Sequence, residues 1–161
     1  MWNKFRKNVL PYFVGVLISL GIGTFAAFLT RDSMNIYESL KTPPLSPPSI
    51  VFPIVWTVLY TLMGISSAVV YINRKVDPTS AALGNRRYFT GLLFNFAWSI
   101  IFFNLRSPLA ALVTIFILLY LVVTTVISYS RVSLIAALLQ IPYIIWITFA
   151  AYLNAGVYFL N

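Results

Sequence analysis

Three tryptophans, two asparagines and a tyrosine stand at spacings that could build a binding site. Trp56 and Tyr60 are one helical turn apart. Asn95, Trp98 and Phe102 follow at i, i+3 and i+7, and Tyr143, Trp146, Ala150 and Asn154 at i, i+3, i+7 and i+11. Each set lies close to one helix face. Indole and phenol rings offer flat stacking area, and an amide among apolar walls fixes orientation by hydrogen bonding. Ala150 is small and leaves room beside Trp146. The set suits the binding of a flat, mostly apolar molecule. Plainer roles exist for each residue: rings near helix ends form interfacial belts, and a buried amide can bond another helix. Trp56 starts near such a belt, whereas Tyr60 lies a turn deeper, where a belt role fits less well.

What is missing narrows the chemistry further. The chain has no His and no Cys, so it offers no disulfide, no zinc site, no histidine base and no His- or Cys-ligated haem. Metal ligands and a resident cofactor are therefore not expected. Its three acids, Asp32, Glu38 and Asp77, lie between the apolar stretches, and no Lys or Arg lies deep within one. Proton relays and charged ion paths need ionisable groups at membrane depth. No nucleophile stands beside a base, so a conventional catalytic set is absent. The net charge of +8 comes from basic residues flanking apolar stretches, where they set membrane orientation, and no nucleic-acid partner is expected.

The elements that must carry these residues are membrane helices. The chain of 161 residues is 60% hydrophobic, with a mean hydropathy of +0.90. Five stretches carry no charge, 8–30, 42–73, 88–105, 107–130 and 132–161. The shortest, of 18 residues, makes a helix of about 27 Å, near the hydrocarbon thickness of a bilayer. These observations predict an all-α membrane protein, a single-domain bundle of five transmembrane helices at about 9–29, 50–73, 88–105, 108–129 and 134–158. A basic head with Lys4, Arg6 and Lys7 precedes the first, which reads as an uncleaved span. Gly15, Ser19, Gly23 and Ala27 recur every four residues on it, a stripe that serves either packing within the chain or a homodimer face. The fourth span is apolar all round and reads as a lipid-facing wall. Pro142 should kink the fifth.

The first loop, 30–48, is long for a compact bundle and ends in Pro43, Pro44, Pro47 and Pro48. Prolines fix φ and push their predecessors toward extended geometry, so a stiff segment feeds directly into the helix bearing Trp56. That places a rigid lid over an aromatic wall, with a short helical turn expected at 35–40. Lys4, Arg6, Lys7, Arg74, Lys75, Arg86, Arg87 and Arg131 fall on one side of the bundle, and Arg31, Lys41 and Arg106 on the other. The amino terminus should then face the cytoplasm.

At these residues the chain resembles the tryptophan-rich sensory protein family, whose animal members are the mitochondrial translocator proteins, or peripheral-type benzodiazepine receptors. The resemblance rests on PPLSPPSIVFPIVWTVLYTLMG at 43–64, NFAWSIIFF at 95–103 and PYIIWITFAAYLN at 142–154, in that order along nearly the whole chain. It implies a five-helix bundle, often homodimeric, with a pocket under the first loop. It also implies binding of porphyrin-like tetrapyrroles, with isoquinoline or benzodiazepine-type drugs as further ligands, in a receptor or sensor tied to tetrapyrrole metabolism or stress. The implied pocket residues are Trp56, Asn95, Trp98, Trp146, Ala150 and Asn154, with Tyr37 added by its place before the proline run. A bacterial cell membrane is the expected location. One alternative is light-dependent porphyrin breakdown through oxidisable Trp56 and Trp146; another is a sterol- or lipid-binding or transport protein. Two departures stand out. Leu45 and Ile50 occupy positions where the family often has tryptophan, which weakens stacking from the lid. No Lys or Arg follows Arg131, so the animal proteins' carboxyl-terminal sterol motif is absent and cholesterol is not favoured as a ligand.

Overall fold

A computed structural model describes residues 2–33 and 35–161, with backbone only for 2–8, 35 and 36. The side chains of Lys4, Arg6 and Lys7 lie outside the described set. Among the described residues the structure is helical without strands: α1 (Trp2–Thr30), a 3-10 turn (Arg31–Ser33), α2 (Asn35–Ser39), α3 (Val51–Ile72), α4 (Pro78–Ser99) with a π-helical end (Ile100–Asn104), α5 (Pro108–Ser130), α6 (Leu134–Leu139) and α7 (Ile141–Leu160). The long rods close a ring in the order α1, α3, α6–α7, α5, α4 and back to α1.

Among the described residues four helical segments are long and apolar enough to cross a membrane, Val9–Ser33, Val51–Ile72, Pro108–Ser130 and Leu134–Leu160. The remaining rod, α4, differs from its expected form. It starts at Pro78, ten residues before the anticipated boundary at 88, because Asp77 accepts a hydrogen bond from the Ser80 N–H and caps it, with Pro78 in the first turn. Its amino-terminal half therefore carries Asn85, Arg86 and Arg87. Its apolar half ends in the π turn, where the N–H of Leu105 bonds the carbonyl of Ile100.

The small-residue stripe of α1 is used inside the chain. A side chain at Gly15 would collide with the backbone of Gly64, and one at Gly23 with the ring of Tyr60. Ser19 Oγ lies 2.5 Å from the Tyr88 hydroxyl. Close approach of α1 to α3 thus uses the Gly15 and Gly23 part of this face for internal packing, while Ala27 at its end stays exposed. The lipid-wall reading of α5 also needs correction. Ala111, Ile115, Leu118, Val122 and Tyr129 form a buried stripe against α4 and α7, while Val113, Phe116 and Tyr120 face out.

Pro142 acts as expected, but as a break rather than a bend. It removes the N–H that would bond the Leu138 carbonyl, and α6 ends at Leu139. The N–H of Gln140 turns back to Ala137, leaving the Ala136 carbonyl to accept from Ser66 Oγ at 2.7 Å. Gln140 Nε2 donates to the same Ser66 hydroxyl at 3.2 Å, so α3 supplies the polar partners at the break.

The proline segment is not extended throughout. The N–H of Ser46 turns back to Pro43, with Pro44 second and Leu45 third at φ 68°, the layout of a type II turn with leucine where glycine is usual. Three contacts hold this loop to the end of α7. Lys41 and Asn161 exchange two hydrogen bonds, 3.1 Å from the Lys41 N–H to Oδ1 and 2.9 Å from Nδ2 to the Lys41 carbonyl. Tyr152 donates to the Pro44 carbonyl at 2.8 Å. Pro43 seats on Gly156, where any side chain would strike its ring.

Candidate functional site

Trp56, on the second turn of α3, is the centre of a ring cluster. Its centroid lies 5.4 Å from Tyr60 on its own helix, 6.4 Å from Trp98 on α4, and 6.2 and 6.4 Å from Tyr143 and Trp146 on α7. The contacts with Tyr143 and Trp146 are edge-on, at 68° and 89°, the favoured geometry for quadrupolar rings. Three helices thus bring three indoles together. Trp98 and Trp146 each meet Trp56, however, rather than the three lining one shared hollow.

Two hollows flank this cluster. The first, about 40 Å³, lies under α2 and the proline loop and is lined by Tyr37, Ser49, Phe52, Trp98, Ala150 and Asn154 among others. The second, about 270 Å³, lies between α1, α3 and α4, with Gly23, Ala27, Trp56, Tyr60 and Ser99 in its wall. Phe52, Trp98 and Phe103 border both and form the partition. Exposed Thr24, Ala27, Pro53 and Thr57 at the rim open the second hollow onto the outer surface of the bundle. Both cavities are small beside the ~300–1,000 Å³ of most ligand pockets. The expected site residues divide accordingly. Tyr37, Trp98, Ala150 and Asn154 reach the first hollow, Trp56, Tyr60 and Trp98 the second, and Asn95 and Trp146 reach neither.

The π turn explains why Phe103 joins the partition. An inserted residue widens the turn and sets Phe102 and Phe103 edge to face at 5.0 Å, with Phe102 stacked on Trp98 at 5.6 Å. The spacing of Asn95, Trp98 and Phe102 was readable; Phe103 was not, because it departs from a 3.6-residue face. Phe52 was also missed. It stands one turn before Trp56, and that spacing was the available signal. Its ring sits between Tyr37, at 5.2 Å and 76°, and Trp146, at 6.0 Å and 69°. The two departures at the lid are thereby offset: Leu45 and Ile50 are 84% and 66% exposed, and Tyr37 and Phe52 supply the rings beneath the loop.

Polar groups in the site fall into two classes. Asn154 is fully engaged: Trp98 Nε1 donates to its Oδ1 at 3.1 Å, and its Nδ2 donates to the Pro108 carbonyl at 2.7 Å. It ties α7 to α4 and to the start of α5. Asn95 is half engaged, donating from Nδ2 to Tyr143 Oη at 2.7 Å while Oδ1 has no partner. Tyr37 Oη and Trp146 Nε1 are likewise buried without a hydrogen bond among the described residues. An unpartnered buried polar atom costs about 1–3 kcal/mol, so three around one ring cluster need a reason.

Comparison with known proteins follows the same residues. Positions 13–160 match the TspO/MBR family. The chain is 38% identical over 155 residues to the tryptophan-rich protein TspO of Archaeoglobus fulgidus, covering 96% of this chain and 99% of that one. It is 34% identical over 157 residues to the tryptophan-rich protein TspO of Chlorobaculum tepidum, covering 97% and 99%. The translocator protein of Bos taurus is 31% identical over 139 residues, covering 86% of this chain and 82% of its own.

Proposed function

Because the chain belongs to the TspO/MBR family of integral membrane proteins, we propose that it is a receptor for a flat tetrapyrrole of porphyrin type. The ligand would be taken into the space now divided by the Trp56 cluster. The observation that carries this reading is Phe52, Trp98 and Phe103 separating two hollows, with Trp146 Nε1 and Tyr37 Oη buried and unpartnered on either side of Phe52. Rotation of Phe52 merges the hollows and frees a donor and a hydroxyl to meet polar groups on the ligand's edge. Trp56 and Trp98 then stack on the macrocycle, Asn95 holds Tyr143 in place against Trp56, and Ala150 sets the clearance beside them. Asn154 orients Trp98 rather than the ligand, since both ends of its amide are in use. Drug-like isoquinolines are smaller but share a flat aromatic face; a sterol, lacking a flat π-face, uses less of this chemistry.

The reading includes five spans. The rod 78–104 is the fifth, its apolar half crossing the membrane and its basic half, with Arg86 and Arg87, standing at the cytoplasmic side with the amino terminus. The loop 30–48 is the lid. A homodimer formed by the chain would leave the Gly15 and Gly23 part of the α1 stripe to α3 and pair through another face.

Titration with protoporphyrin in the dark tests the reading. Tryptophan fluorescence should quench saturably, and Trp146→Phe should weaken affinity about fivefold through loss of one N–H donor. Equal affinities for wild type, Trp56→Phe and Trp146→Phe would remove the basis of this placement.

Light-driven breakdown is a second reading, favoured by one observation. Trp56 touches two other indoles and two phenols, so when the photoexcited porphyrin takes one electron from its ring and passes it to dioxygen, the hole left behind can be shared among neighbours. Illuminated complex should then bleach faster with wild type than with Trp56→Phe. Equal bleaching by an unrelated porphyrin-binding protein assigns the loss to incidental photochemistry.

A further inference from the structure

At the opposite end of the bundle from the lid, α1, the last turns of α3 and the polar half of α4 enclose a groove of about 910 Å³. Its walls include Val14 and Ile18 of α1, Tyr71 of α3 and Phe89 of α4. Its length along α1, from Leu10 to Ile18, is about 12 Å, close to the depth of one hydrocarbon leaflet. Arg74 and Lys75 stand at its mouth, just past the end of α3. Arg74 is held there: its Nη1 donates to the Tyr71 carbonyl at 2.5 Å, and its guanidinium carbon lies 4.2 Å from the Tyr71 ring centre. Among the described residues its remaining N–H groups have no hydrogen-bond partner, and neither Arg74 nor Lys75 is in an ion pair. The one acid nearby in sequence, Asp77, is committed to capping Ser80.

We propose that this groove is a site for one anionic phospholipid, an acyl chain lying along Val14, Ile18 and Phe89 and the phosphate held by Arg74 and Lys75. Charge complementarity chooses the occupant. A zwitterionic lipid brings its own cation to a mouth that already has two, and a soluble anion makes no use of the apolar walls. Guanidinium and ammonium groups at the membrane surface each favour an anionic lipid. The site is distinct from the aromatic cluster, shares none of its residues, and stands whatever ligand that cluster takes.

Native mass spectrometry of the full chain, released from nanodiscs of equal dioleoyl-phosphatidylglycerol and dioleoyl-phosphatidylcholine, reads the preference directly. Wild type should retain one phosphatidylglycerol about tenfold over phosphatidylcholine. The double variant Arg74→Ala/Lys75→Ala should lose that preference, while Arg106→Ala at the other end keeps it. Val14→Trp, which fills the groove and leaves both cations, should lose retention with unchanged helical circular dichroism. Equal retention by wild type, a preference that survives the double variant, or full retention by Val14→Trp overturns the proposal. So does displacement of the lipid by millimolar glycerol phosphate, or a dimer sensitive to Val14→Trp in place of bound lipid.

Discussion

Phe52→Ala separates a gate from a wall. The ring makes two edge-on contacts, with Tyr37 at 5.2 Å and Trp146 at 6.0 Å, and borders both hollows. Each such contact is worth about 0.5–1.5 kcal/mol beyond burial, so turning the ring aside costs about 1–3 kcal/mol. If the ligand must displace Phe52 before it binds, deleting the ring removes that cost from the association barrier. At tenfold per 1.4 kcal/mol, association should quicken about five- to 150-fold. Stability should fall by less than the ~3–5 kcal/mol typical of a core Phe→Ala change, because the ring is only half-buried and faces space on both sides. Stopped-flow quenching of tryptophan fluorescence by protoporphyrin, with light excluded, gives the rate; a circular-dichroism melt in the same detergent gives the stability. An association rate that stays within twofold of wild type, or falls, in a variant that still folds would falsify the gating argument and make Phe52 a contact surface.

Three further perturbations have clear expected outcomes. Asn154→Ala strips the acceptor from Trp98 Nε1 and a donor from the Pro108 carbonyl; melting in detergent should show a loss of roughly 2 kcal/mol, and no loss would mean that Trp98 finds another partner. Gly156→Leu drives a side chain into Pro43, so limited proteolysis should cut within 42–50 faster than in wild type while helix content holds; an unchanged rate would show the loop anchored elsewhere. The Asp77 carboxyl is held below its ordinary range, first by the Ser80 N–H, then by the Ser80 hydroxyl, with Arg131 adding to the effect. The cap's contribution is therefore present above the unfolded carboxylate range and disappears as pH falls through the lower folded one. Intrinsic-rate-corrected hydrogen exchange at 80–82 should lose protection over that acid window in wild type. In Asp77→Asn, which caps without titrating, the acid loss should vanish.

Charge spacing was enough to find the rods, because a charge cannot stay at membrane depth and apolar length is bounded by bilayer thickness. The ends of α3 and α5 lie within a residue or two of expectation for that reason. The start of α4 was hidden by Arg86 and Arg87, since charge marks the membrane boundary and not the helix boundary; the Asp77–Pro78 cap was the usable signal. In the site, helical spacing placed Trp56, Trp98 and Trp146 on inward faces, and the last two both meet Trp56. It could not say whether they surround space or fill it. That depends on interhelical distance, which rests on Gly15 against Gly64 and on the break at Gln140. Nor could spacing pair Asn95 with Tyr143 or Asn154 with Trp98, because hydrogen bonds between helices depend on relative height, which periodicity leaves open.

Access to the site turns on which barrier is lower, lid or partition. Lifting the loop breaks the two Lys41–Asn161 bonds and the Tyr152–Pro44 bond together. At about 0.5–1.5 kcal/mol each, that is no cheaper than rotating Phe52, and Pro43 must also leave its seat on Gly156. Rotating the ring keeps the loop in place and opens the first hollow into the second, whose rim is exposed on the outside of the bundle at Thr24, Ala27, Pro53 and Thr57. An apolar ligand dissolved in the bilayer then never crosses water on its way in. The two variants place opposite bets on this comparison: lateral entry makes association fast in Phe52→Ala and unchanged in Gly156→Leu, and entry beneath the loop reverses that order.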